Sequence, residues 1–172
     1  MTSRSPDATA NRPPVLSSTE IDELLSMRLI ANLATLDDDG GIHLLPMWFL
    51  QIGNDICIPT SSHTHKYWNV QSRPCASVMI DVSQAGLNLK GMLIRGRVEL
   101  IKGEEARRIN HLIHLKYVTP EALSDASVAS YLSEGDDVTV KIHMDHLISW
   151  NLDESKAGKA LRVGGWFRPL DG

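Results

Sequence analysis

The residues with the most to offer chemically lie in Thr60–Asn69, "TSSHTHKYWN", where hydroxyls, two histidines and a lysine gather without a carboxylate. A helix starting near Thr64 would present unpaired backbone N–H groups and the positive end of its dipole, and Lys66 in its first turn would add a full charge. Thr60, Ser61, Ser62 and Thr64 can donate to phosphate oxygens, and His63 and His65 can join them when protonated. That combination would grip a phosphate. The same residues also suit a plain helix N-cap, because serine and threonine collect at helix starts for structural reasons alone. Taken by itself, the residue chemistry favours the cap.

Other reactive residue types read more plainly. His111-x-x-His114 shares a helical face beside Arg107, but no spaced partner set completes a metal centre, so it reads as a solvated polar face. His143 and His146 bracket a strand break and suit a turn or barrel rim. Asp37, Asp38 and Asp39, followed by Gly40 and Gly41, lack the spaced oxygens and terminal glutamate of a calcium loop and read as a hairpin turn. Arg95 and Arg97 read equally as solvated strand charges or as contacts to a partner subunit or cofactor. Trp68 and Trp150 read as core or interface residues, and Trp166 as surface packing on the tail. No nucleophile–base pair is evident, and no metal site is expected.

The elements that must position these residues follow from periodicity and turn chemistry. Ser17-x-x-Glu20 is a capping box, and Ile21, Leu24 and Leu25 share the face of the helix it opens. "LIANLATL", the acidic-glycine turn and "IHLLPMWFLQI" form a hairpin, and "DICIPT" after Gly53 is a third strand. Two helical turns follow the polar corner and stop before Pro74. Ala76, Val78, Ile80 and Val82 alternate on one strand, Met92, Ile94, Val98 and Leu100 on the next. Two short helices cover 104–132, with Ile109, Leu112, Ile113 and Lys116 on one stripe and Pro120 near a helix start. Val138, Val140, Ile142 and Met144 alternate again, and "HLISWNL" is a last strand. Six or seven short strands with tight turns make the chain mainly β, an antiparallel barrel with short flanking helices rather than alternating βαβ units. No glycine-rich nucleotide loop competes with that reading.

Composition narrows the function classes. A formal charge of −4 over 172 residues, without a basic stripe, argues against a nucleic-acid partner. Residues 1–16 carry no apolar run of signal-peptide length, and nothing later approaches the ~20 apolar residues of a membrane span. Cys57 and Cys75 have no framework spacing. These features lead to the expectation of a cytoplasmic protein without membrane partners, divided into a disordered leader (1–16), one domain (17–152) and a C-terminal tail (153–172).

The ordered series "LATLDDDGGIHLLPMWF", "DICIPT", "SSHTHKYWN", "RPCASVMID" and "GMLIRGRVELI", with "HLISW" as a weaker echo, resembles the flavin-binding split-barrel family related to pyridoxamine 5'-phosphate oxidase. Over roughly residues 18–101 the likeness is closest to the branch that includes proteins using the deazaflavin coenzyme F-420. The resemblance implies an antiparallel split β-barrel and a homodimer with two cofactor sites at the subunit interface, each holding FMN or F-420. Carried over, it puts Lys66 on the cofactor phosphate with Thr60, Ser61, Ser62 and His65, and the backbone of Pro46, Met47, Trp48 and Phe49 along the ring. It implies an oxidoreductase that moves hydride to or from a small organic substrate, the alternative being a non-catalytic flavin or tetrapyrrole carrier on the same scaffold. The chain departs from the pattern at His65 and at Gln71–Ser72, where basic residues are usual, and so carries less fixed charge. The C-terminal segment of the true pyridoxine-oxidising enzymes is absent from "RVGGWFRPLDG".

Overall fold

Ser17 opens the first helix as its spacing predicts: its Oγ accepts the Glu20 N–H at 3.3 Å while the Glu20 carboxylate accepts the Ser17 N–H at 2.8 Å. Such a cap is worth about 1 kcal/mol. The computed structural model describes residues 14–84, 87–132 and 135–166. In chain order the elements are α1 (Ser18–Ser26), β1 (Ala31–Leu36), β2 (Ile42–Met47), β3 (Leu50–Ile52), β4 (Asp55–Thr60), α2 (His65–Ser72), β5 (Cys75–Gln84) and β6 (Leu87–Lys102). They continue through α3 (Gly103–Tyr117), α4 (Pro120–Ser124), α5 (Ala126–Leu132), β7 (Val138–His143), β8 (His146–Asn151), a 3-10 turn at Leu152–Glu154 and α6 (Lys156–Gly164). No helix among the described residues is long and apolar enough to cross a membrane.

The eight strands of the described residues run β2-β1-β5-β6-β7-β4-β3, with β8 also paired to β6. All the pairings are antiparallel. The barrel is split along β6: Lys90–Arg95 pairs with β8, whereas Val98–Lys102 pairs with β7. Between the two stands Gly96, where a Cβ would come within 1.6 Å of the His143 carbonyl oxygen. Only glycine lets the backbones pass so closely.

The interior is filled by the alternating residues of β1, β5, β6, β4 and β7 together with Leu24, Leu25, Phe49 and Val70. A second cluster, built on Cys57, Ile101, Ala106, Ile109 and Ile113, lies beneath α3. Strand β7 is therefore covered on both faces. Its out-of-phase Thr139 is fully buried, and donates to Asn110 Oδ1 at 2.7 Å on α3.

The mainly antiparallel β-barrel with short helices is the architecture anticipated, with three differences in detail. "IHLLPMWFLQI" is two strands rather than one, because β2 pairs with β1 while β3 crosses over to pair with β4. The segment expected to hold two helices after β6 holds three, with a break at Asp125 that separates α4 from α5. Within 153–172, read as a tail, Lys156–Gly164 is helical, capped by Ser155 and ended by Gly165 at φ 61°. Residues 1–13 of the leader and Phe167–Gly172 lie outside the described residues. Pro14–Leu16 are pinned to β8: Asn151 N–H donates to Pro14 O at 2.7 Å, Leu16 N–H donates to Ser149 Oγ at 3.0 Å, and Leu16 is buried.

Candidate functional site

At the end of β4 the chain turns into α2 over a cleft of ≈ 590 Å³. Thr60, Ser61, His63, Thr64 and Lys66 line one side; α3 contributes Asn110 and His114, and the segment after α5 contributes Asp136 and Asp137. Thr64 is the helix cap: its Oγ1 accepts the Tyr67 N–H at 3.4 Å and lies 2.8 Å from Thr60 Oγ1. The capping role foreseen for this corner is thus real, yet it occupies only Thr64. Lys66 stands half-buried in the cleft, and its ammonium has no hydrogen-bond or ion-pair partner among the described residues. Burial holds its pKa below the usual lysine value of 10.5. A desolvated, unpaired cation attracts an anion.

The acids of the cleft already have partners. Asp136 Oδ1 accepts the Ser62 N–H at 2.7 Å, and that bond is the main reason its carboxyl is held below the usual range. Asp137 accepts from Asn110 at 2.9 Å and faces Arg107 at 3.6 Å. Behind His114, outside the cleft lining, lies an aromatic pair under α3. Trp48 stacks on Tyr117 with ring centroids 4.9 Å apart, and meets His114 edge-on at 6.1 Å. Burial pushes the His114 pKa down, favouring the neutral ring.

Thr60, Ser61 and Lys66 therefore share the cleft, while Ser62 borders it through its backbone bond to Asp136. His65 is turned the other way, with Nε2 3.7 Å from Asp37 Oδ1, and His63 takes the place at the cleft that the resemblance gave to His65. None of Pro46–Phe49 lines the cleft. Pro46 is exposed on the outer face of the sheet, Met47 packs against the interior, and Trp48 is half-buried under α3. Phe49 is fully buried, with its N–H donated to Tyr117 Oη at 3.2 Å.

Two α3 residues were not read from the sequence as part of this site. His114 belongs to the cleft wall rather than to a solvated face, whereas His111 is exposed. Asn110, buried between Asp137 and Thr139, gave no signal beyond its position one turn before His114. Arg95 and Arg97 instead border a second depression, of ≈ 480 Å³, on the outer face of the sheet. There Arg97 makes a two-pronged contact with Asp145, each bond at 3.1 Å. His143 and His146 close β7 and open β8 as expected.

Residues 17–138 match the pyridoxamine 5'-phosphate oxidase family. No curated protein matches the sequence. Among solved structures, the conserved hypothetical protein Rv2991 from Mycobacterium tuberculosis is similar at 22% identity, with 94% of this chain and 96% of that one covered and a TM-score of 0.71. An F420 reductase is similar at 20% identity over 74% of this chain and 94% of that one, with a TM-score of 0.59. The heme storage protein HutZ from Vibrio cholerae shares 14% identity over 76% of this chain and 92% of that one, with a TM-score of 0.61. At these identities the likeness is one of fold.

Proposed function

The chain belongs to the pyridoxamine 5'-phosphate oxidase family, and from that premise we propose that it is an oxidoreductase that binds FMN or F-420 by its phosphate. The observation that carries the reading is Lys66, a half-buried ammonium without a partner among the described residues, beside the hydroxyls of Thr60 and Ser61 at the start of α2. A phosphate there would satisfy the cation and accept from the hydroxyls and the first N–H groups of the helix. When bound, the cofactor supplies hydride transfer with a small organic substrate. The protein's part is to hold the phosphate with Lys66, Thr60 and Ser61, with His114 of α3 on the facing wall of the cleft.

The same reading includes a homodimer. The outer face of the sheet carries an in-register row, Pro46, Asn32, Met79, Leu93 and Ile148, and beside it Leu44 and Ile42. Ile42, Leu44 and Ile148 are 74%, 61% and 51% exposed, an apolar surface suited to a second copy. Cys57 and Cys75 are both free thiols, which fits a reducing compartment such as the cytoplasm. A non-catalytic carrier of a flavin or tetrapyrrole is the second reading, supported by the shared fold with a heme storage protein.

Fluorescence titration of the purified protein with FMN and with F-420 tests the proposal. Binding of one of them, weakened at least tenfold by Lys66→Ala (about 1.4 kcal/mol) while circular dichroism is unchanged, is the expected result. Equal affinity in the variant, or no binding of either cofactor, overturns it. Oxidation and reduction of the bound cofactor with a donor and acceptor pair separates the enzyme from the carrier, which binds without turnover.

A further inference from the structure

Outside the cleft lining, three potential metal ligands converge from three elements. Asp37 lies in the β1–β2 turn, His43 on β2 opposite Thr35, and His65 in the first turn of α2. One ligand atom from each lies within 4.8 Å of the other two. The imidazoles stand with ring centroids 5.0 Å apart and tilted by 55°, so neither stacks on the other. Beyond the approach of His65 to Asp37, neither ring has a hydrogen-bond partner among the described residues. Their nitrogen lone pairs are open to a ligand.

The carboxylate is already held in place. Asn69, 4% exposed, donates from Nδ2 to Asp37 Oδ1 at 2.6 Å and to Thr35 Oγ1 at 3.0 Å. Hydrogen bonding of this kind around a coordinating carboxylate fixes its orientation. Tetrahedral ligands ~2.0–2.1 Å from zinc stand about 3.3 Å apart, so the set must contract slightly to bind. The freedom to do so resides in His65, whose side chain is 65% exposed against 25% for Asp37.

We propose that Asp37, His43 and His65 form a binding site for a divalent late first-row transition ion of the zinc class. Two imidazoles and one carboxylate are the donor set that suits such an ion, and three protein ligands leave a position open to water. Bound there, the ion would clip the start of α2 to the β1–β2 hairpin. The proposal is independent of the cofactor reading, since none of the three residues lines the cleft.

Cobalt, used as a coloured stand-in for zinc, provides the test. The full chain is stripped with chelator, dialysed into phosphate-free buffer and titrated with Co²⁺ and then Zn²⁺, following visible absorption. One equivalent of Co²⁺ should produce an absorption band that Zn²⁺ abolishes by displacement. His43→Ala and His65→Ala should each weaken binding by at least about tenfold with circular dichroism intact, whereas His111→Ala should not. These two histidines are preferred to Asp37 because Asp37 also anchors Asn69 and its loss would disturb the hairpin. No metal-dependent band in the wild type, or equal affinity in the His43→Ala/His65→Ala double variant, overturns the proposal.

Discussion

At the scale of single residues, a few polar groups acquire their character from what covers them. Lys116 donates to Leu25 O at 2.9 Å and sits 3.7 Å above the centre of the Phe49 ring, and burial pulls its pKa from 10.5 down to about 8. In the folded chain this lysine is therefore neutral at a pH where the unfolded chain still holds the proton. Stability rises with pH wherever the unfolded state binds more protons, so this group destabilises below about pH 8 and relieves that penalty as pH climbs toward 10.5. Neighbouring Tyr117 acts oppositely above its usual pKa of 10.0, because burial pushes it up. Urea unfolding at pH 8 and pH 10 should show a rise in stability that Lys116→Met reduces; an identical rise in the variant would assign it to other groups. Asn69 makes the same point without charge. The sequence marks it only by its place after Lys66, yet it is the buried link between α2 and the β1–β2 hairpin.

At the scale of elements, the barrel depends on strands that change partners. β6 serves β8 with one half and β7 with the other, and Gly96 lies at the change. Because a Cβ there would meet the His143 carbonyl at 1.6 Å, and a backbone oxygen cannot swing aside as a side-chain tip can, Gly96→Ala should destabilise by about 3 kcal/mol. Chemical denaturation measures it, and a loss below about 1 kcal/mol would mean that the strands separate freely at this point. The break between β2 and β3 is a second change of partner. Apolar residues continue through Met47, Trp48 and Phe49 without a turn signal, so periodicity joins what the sheet divides. Trp48 and Phe49 instead tuck under α3, through Tyr117.

At the scale of the whole molecule, the outer face of the sheet exposes Ile42, Leu44 and Ile148 together, an apolar surface suited to a partner. If two copies meet there, Leu44→Glu should shift the protein to a monomer in sedimentation or light scattering while leaving the fold intact, because Leu44 is 61% exposed in the single chain. A wild type that is already monomeric at micromolar concentration would remove the dimer from the proposal.

The sequence made most of the strands and flanking helices legible in their order, though not the division of β2 from β3 or the helix α6. Strand alternation, the Ser17 capping box and the turn glycines are local signals, readable wherever the chain's own neighbours decide its conformation. It also located the polar corner at 60–66. Which side chains of that corner share a space depends on the packing of distant elements around it. His63 and Lys66 enter the cleft with His114 from α3, whereas His65, one residue from Lys66, turns toward Asp37 and His43. Adjacent residues on a helix point in different directions, and what each one faces is set by elements far away in the chain.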